Sequence, residues 1–307
     1  MNHLESAFRG SNKWWAYIVV FLVTFLLAQA IGGIPLGIIL TVFGDGEIDY
    51  NKAIDFNAHG INASLGLALM LLPFVVSFFA LVLIMKPLHG RSFKSLINGT
   101  YYVRKFRIVM GFCLWGLIIA FATIVDYYLN ISDYHVRFDL GKLLPLLVVS
   151  LLLLPFQTFY EELFVRGYLA QGIGVLTRNR ILVLIIPSLL FALLHGLNPE
   201  VHKHGFLLMM ANYLSVGLIF AIVSVLDDGI ELAMGAHAAN NIFISVFVTT
   251  ESSALQTDAL LLSLTDEQKW SDLLGVWLIG IVFIGVFAFK YKWSLQSLFK
   301  RIERPSV

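Results

Sequence analysis

Charge is what this chain has least of. Only 13% of its 307 residues are Asp, Glu, Lys or Arg, against about 25% in an ordinary soluble domain. Its 21 basic and 20 acidic residues nearly cancel, so nothing points to a nucleic-acid partner. Cysteine is almost absent. Cys113 stands alone, which excludes an internal disulfide and a cysteine-based metal cluster. It lies in an apolar run, where its expected role is packing. Long polar stretches are missing too. Those at 42–60, 87–106 and 251–270 are each shorter than a domain, so no soluble second domain is expected. No internal repeat or low-complexity tract stands out. The first apolar run is too long for a signal h-region and lacks a clear small-residue cleavage site, so no cleavable signal is expected.

What fills the chain is apolar sequence. Hydrophobic residues make up 58% of it, in repeated runs of about 20 residues, the length that crosses a bilayer. Eight spans are expected, at about 14–41, 62–86, 107–128, 144–173, 180–198, 204–226, 230–249 and 271–290. The fold class is therefore all-α: a polytopic membrane protein, one transmembrane domain over 1–307. The long first and fourth spans are expected to tilt, break or project beyond the lipid. With the N-terminus inside, the inner segments hold 15 of the 21 basic residues and the outer loops five, with Arg166 inside a span. That bias places both termini of an integral membrane protein in the cytoplasm, with a bacterial inner membrane as the expected setting. The outer loops carry Asp45, Glu47, Asp49, Asp55, Asp258, Asp266, Glu267 and Asp272, read as a solvated acidic face. The lipid bilayer itself is the expected partner of the basic loops, with no nucleic acid.

Against this background a few polar residues stand out. Glu161, Glu162 and Arg166 lie inside the apolar segment LLLLPFQTFYEELFVRGYL. Each ionisable group at membrane depth costs roughly 2.5–3.5 kcal/mol on insertion scales, so it is functional by default. Glu162 and Arg166 are four apart, share a helix face and can neutralise one another. Glu161 is turned about 100° away and has no partner in its own helix, which suits a general base. Phe191 and His195 are also four apart, as are His237 and Asn241, with Asn240 three from His237. A lone histidine in an apolar helix is ordinarily a hydrogen-bonded core residue. Two of them with a glutamate, on three successive apolar helices, point to one site. All of this falls in 145–250. The regions 1–140 and the last span then frame a catalytic four-helix core over 144–250, formed by spans four to seven.

Depth gives a check. If spans four and five form a hairpin turning at Thr177-Arg178-Asn179-Arg180, Glu161 and His195 both lie about 25 Å from the turn. His237 is only about 10 Å from the inner end of its span. The depths agree if the hairpin projects about 10–15 Å beyond the inner lipid boundary, or if span seven begins earlier. Projection is preferred, because 171–180 has glycines and polar residues. Pro155 and Pro187 each remove a backbone donor and can bend their helices, which favours a water-accessible cavity, expected to open toward the cytoplasm.

Glu161-Glu162-x-x-x-Arg166, Phe191-x-x-x-His195 and His237-x-x-x-Asn241, in this order, resemble the CPBP intramembrane proteases. That family includes the CAAX prenyl endopeptidases and the bacterial abortive-infection-like proteins. The resemblance implies an intramembrane endopeptidase in which Glu161 activates water and His195 helps to hold it. His237 and Asn241 would stabilise the oxyanion, and Glu162 and Arg166 would be supports. It implies a peptide or protein substrate at the membrane, a prenylated tail being the family's best-known class. Its frequent label of metalloprotease leaves two cofactor readings: none, or zinc held by Glu161, His195 and His237 with an open water position. No H-E-x-x-H pair is present to place two ligands on one helix, and no Gly-x-Ser-x-Gly supports a serine enzyme. Leu226-Asp227-Asp228-Gly229 only loosely echoes the site-2 class. The competing readings are a proton-coupled transporter and a non-catalytic immunity or scaffold protein.

Overall fold

The computed structural model describes residues 3–43, 54–100 and 102–304. Asp45, Glu47, Asp49 and Lys52 of the expected first outer loop lie outside the described residues. Each of the eight apolar segments forms a helix, the only way an isolated segment satisfies its backbone in lipid. They are α1 (Trp14–Val42), α2 (Ala63–His89), α3 (Lys105–Leu129), α4 (Leu140–Thr177), α5 (Arg180–Leu194), α6 (Phe206–Leu226), α7 (Glu231–Val246) and α8 (Asp272–Tyr291). The protein is an all-α polytopic membrane protein. Six of the helices are long and apolar enough to cross a bilayer. The other two, α5 and α7, have 15 and 16 residues, short of the roughly 20 that a crossing needs. These two short helices carry the histidine motifs.

Side-chain caps fix several helix starts. The Asn62 side chain accepts from the backbone N–H groups of Ser64 and Leu65, Asp139 from Gly141, and Asn179 from Ile181 and Leu182. Each satisfies donors that the first helical turn leaves unpaired. Between α4 and α5 the chain reverses at Arg178, which takes a left-handed conformation at φ 55°, the usual way to end a helix before a tight turn. The expected hairpin is therefore present. The 38 residues of α4 extend about 57 Å, nearly twice a hydrocarbon core. Gln171 sits level with the loop after α2, donating to the carbonyl of Ser95 at 2.7 Å and of His3 at 3.0 Å. The end of α4 thus projects past that loop, while α7 begins at Glu231, as expected.

The two ends of the bundle differ. At the basic end, Glu231 is fully buried and accepts from Arg104 at Nη2 (2.6 Å), Nε (3.0 Å) and the backbone N–H (3.1 Å), and from Asn98. Arg104 also lies 3.1 Å from Asp227, which pairs with Arg107. Asp228 accepts from the backbone N–H of His3 at 2.7 Å. Burial pushes the Asp227 carboxyl up to about 6, and the two arginines pull it back only in part. The tetrapeptide Leu226-Asp227-Asp228-Gly229 is thus a clamp between α6, α7 and the loop before α3. At the other end lies a small sheet of order β1-β3-β2, formed by β1 (Tyr134–Val136), β2 (Val248–Thr249) and β3 (Leu261–Ser263). In it β1 is antiparallel and β2 parallel to β3. Here Asp266 is not a solvated acidic residue. It holds Lys203 at 2.6 Å, His204 at 3.2 Å and the backbone N–H of Ser252 at 2.9 Å. Burial alone would raise its carboxyl, but these donors hold it below the usual carboxylate range.

The helices that position the site pack closely. A Cβ on Gly235 of α7 would lie 2.0 Å from the carbonyl oxygen of Ile108, and one on Gly111 of α3 would lie 2.3 Å from that of Leu232. Glycine at both points lets the two backbones touch, the small-residue contact that drives helix association in lipid. Trp115, Phe220, Leu232, Ala236, Phe283 and Phe287 fill the core behind this crossing. Cys113, expected to pack, is exposed on the outer face of α3, among side chains such as Leu117 and Phe121 that only lipid would cover.

Candidate active site

The motif on α4 builds a buried ion pair first. Glu162 and Arg166 side chains are 0% and 2% exposed, and Arg166 Nη1 donates to Glu162 Oε1 at 2.8 Å. The guanidinium is held from two further directions. Its Nη2 donates to the Gly217 carbonyl at 3.2 Å, and its carbon stands 4.5 Å from the Phe191 ring centre. Arg166 therefore joins α4 to α5 and α6, and Phe191 of the second motif serves as its apolar cover. Immediately after Glu162 the helix widens into a π-helical segment, Leu163–Leu169. Such segments are frequent at functional sites.

Glu162 also reaches the third motif. His237 Nδ1 lies 2.8 Å from Glu162 Oε1. A carboxylate already paired with Arg166 can only accept, so His237 donates through Nδ1. Its other nitrogen, Nε2, is 3.6 Å from Glu161 Oε2. Glu161 is thus without a partner in its own helix, as its spacing implies, but it has a neighbour on α7. Asn241 is oriented through two relays. Trp115 Nε1–H, which can only donate, points at Asn240 Oδ1 at 3.2 Å. That turns the Asn240 amide N–H toward Asn241 Oδ1, also at 3.2 Å. The Asn241 amide nitrogen is left as the free donor.

His195 closes the end of α5. Its Nδ1 is 2.8 Å from the Phe191 carbonyl, to which it donates, and Nε2 is left over. The ring lies between Phe191 and Tyr213, with centroids at 4.4 and 4.5 Å. Glu161, His195, His237 and Asn241 all line one cavity of about 750 Å³. The structure therefore brings together the four residues that the motifs single out, with Glu162 and Arg166 directly behind them.

Three expectations change. The cavity wall continues to Asn198, Glu200 and Ser253–Leu255, at the end that carries the small sheet. It does not run toward the basic, expected cytoplasmic, end, because the Arg104–Asp227–Glu231 clamp fills that end. The supposed frame is also part of the site. Phe25, Gln29, Met70 and Phe74 of α1 and α2, Trp115 of α3 and Ile279 of α8 line the same space. The zinc reading does not fit the residues present. Among the described residues no three His, Cys, Asp or Glu side chains converge as metal donors. His237 meets carboxylates on both sides, at 2.8 and 3.6 Å.

Sequence reasoning missed Tyr213, Glu200, Asn198 and Trp115. Their signal was faint. Tyr213 and Trp115 read as ordinary apolar-helix aromatics, and Asn198 and Glu200 as loop residues. Only the packing of α6 against α5 and of α3 against α7 shows that they belong to the cavity.

Residues 143–243 match the family model described as Rce1-like, type II CAAX prenyl endopeptidase. That range runs from the start of α4 to just past Asn241 and contains all three motifs. A relative, the uncharacterized protein YyaK of Bacillus subtilis (strain 168), is 29% identical over 300 residues, covering 96% of this chain and 98% of that protein. No solved structure matches. The three motifs, gathered on one cavity, all lie inside this matched segment, which is thus similar to the type II CAAX prenyl endopeptidases.

Proposed function

We propose that the protein is a glutamate-dependent endopeptidase that cleaves peptides at the membrane. One observation carries this reading. Of the two adjacent carboxylates, Glu162 holds Arg166 and His237 through Oε1 and its Oε2 is buried away from the cavity, while Glu161 lines the cavity with the edge of His237 nearby. A base must lie within reach of the water whose proton it takes, and Glu161 is the one that lines the cavity.

In the proposed reaction a water between Glu161 and His195 gives a proton to Glu161 as its oxygen attacks the scissile carbonyl carbon. The carbonyl oxygen becomes an oxyanion that accepts from the Asn241 amide and from His237 Nε2–H. His237 donates at Nδ1 to Glu162, so it donates at Nε2 as well only as the imidazolium, and Glu161 and Glu162 flank it with compensating charge. As the tetrahedral intermediate collapses, the C–N bond breaks and Glu161 returns its proton to the leaving amine. Hydrolysis is then complete, with one water consumed. The route is drawn without a metal because Glu161, His195 and His237 do not converge as a ligand set.

The test is cleavage of quenched fluorescent peptides by purified protein in detergent, wild type beside Glu161→Ala. Turnover by the wild type that vanishes in the variant is expected. Equal turnover in both would remove Glu161 from the mechanism. The orientation is proposed from charge: the basic end faces the cytoplasm. Cysteines placed at Lys94 and at Ser253 should then be labelled from opposite sides of intact cells, Lys94 only from within.

A further inference from the structure

The cavity has a second carboxylate that the proposed reaction does not use. Glu200 lies on the short helix Pro199–His204 and lines the same space as Glu161. Its Oε1 accepts from the Tyr213 hydroxyl and, at 3.4 Å, from the Asn198 amide. Both are neutral donors. Its Oε2 is buried and has no hydrogen-bond partner among the described residues. Of the bases that follow it, Lys203 and His204 both hold Asp266, and the His202 side chain is exposed. Among the described residues no lysine or arginine lines the cavity. A carboxylate withdrawn from water is costly unless a cation meets it, and nothing described in this chain supplies one.

Resting on the endopeptidase reading above, we propose that Glu200 is a specificity-determining residue that binds a positively charged group of the peptide substrate, a lysine or arginine side chain near the scissile bond. Its place supports this. The Tyr213 ring that donates to Glu200 is the one packed on His195, at 4.5 Å between centroids. A cation held at Glu200 Oε2 would therefore sit one aromatic ring away from the catalytic histidine. The walls between are largely apolar (Leu194, Val216, Ile244), so a lysine stem would lie against them with its ammonium at the polar end. The substrate class is thus a cationic peptide, and the same charge balance disfavours acidic residues at that position.

The experiment uses peptide pairs that differ only by lysine or norleucine at one position, scanned along the chain. For full-length wild type in detergent, one position should favour lysine about tenfold in kcat/KM, as expected for a desolvated charge pair. In Glu200→Gln that ratio should fall to near one, and in Glu200→Lys it should invert toward glutamate. If Glu200 served only to hold Tyr213 against His195, Glu200→Gln would slow lysine and norleucine peptides alike and leave the ratio intact, which overturns the proposal. Binding separates this from failure of the protease reading. The dissociation constants of the same pairs, measured on Glu161→Gln with and without Glu200→Gln, report the preference even if nothing is cleaved. Should the Glu200 variants not fold, wild type alone decides. A lysine preference that weakens as salt is raised upholds the site, and no lysine preference at any position rejects it.

Discussion

The charge cluster at the basic end and the one in the middle of the bundle are finished to different degrees. At the basic end, the two buried carboxylates Glu231 and Asp227 are met by two arginines, Arg104 and Arg107, with Asn98 as a further donor to Glu231. In the middle of the bundle, one arginine serves two adjacent glutamates. Arg166 pairs with Glu162, and Glu161 is left over, facing about 750 Å³ of open space. The closed cluster joins loops. The open one leaves a carboxylate, a histidine edge and an amide facing the cavity. The count of cations, more than the presence of carboxylates, separates a fastening from a reactive site.

The comparison can be broken at its strongest point first. Glu161→Gln keeps the shape and removes the basicity, so cleavage should drop by 10²-fold or more while the thermal midpoint in detergent hardly moves. A drop in midpoint with turnover preserved would make Glu161 a structural residue like Glu231. Glu162→Gln should damage both quantities, because it unpairs Arg166 and releases His237. Loss of a buried partner costs about 3–5 kcal/mol, read as a lower midpoint, and turnover of the surviving folded protein should fall as well. Glu231→Gln is the control from the closed cluster. Its stability loss should be smaller, since Arg104 is 30% exposed and water screens what it loses, and turnover per folded molecule should stay within about twofold. Equal turnover losses in the two variants would erase the distinction between the clusters.

The smallest effect concerns pH. Burial raises Asp227 from 3.8 to about 6, so between those values the folded protein holds a proton that the unfolded chain releases. The resulting stabilisation is fully present below 3.8 and is lost as the pH rises through about 6. The wild-type midpoint should therefore fall relative to that of Asp227→Asn on going from pH 5 to pH 7.5. A gap that stays constant would mean that Arg104 and Arg107 compensate Asp227 completely.

Residue spacing made the half that carries the candidate site readable. Glu162 and Arg166, Phe191 and His195, and His237 and Asn241 stand four apart, and helical periodicity alone puts each pair on one face. The turn at Arg178 was legible from its polar residues. What spacing cannot show is which faces meet. That Glu162 rather than Glu161 would take His237, that Trp115 would steer Asn240, and that Tyr213 would pack on His195 all depend on helix rotations set by tertiary contacts. The direction of the cavity was hidden for a related reason. Leu226-Asp227-Asp228-Gly229 looked like a weak motif, and its partners Arg104 and Arg107 lie over a hundred residues away.

The π-helical segment Leu163–Leu169 divides α4 into two lengths that are out of phase. Before it lie Glu161 and Glu162. After it lies Gln171, which docks on His3, Ser6 and Ser95, while Tyr168, on its last turn, meets His89. One residue accommodated in a wider turn changes the azimuth of everything beyond it by about 100° relative to a continuous helix. The segment therefore works as a phase shifter, letting a single rod aim its reactive side chains into the membrane cavity and its anchoring side chains at the basic-end loops. Deleting Gly167, just after Arg166, would leave all three motifs and nearly the whole hydrophobic length intact, yet it would point one half of the helix at the wrong neighbours.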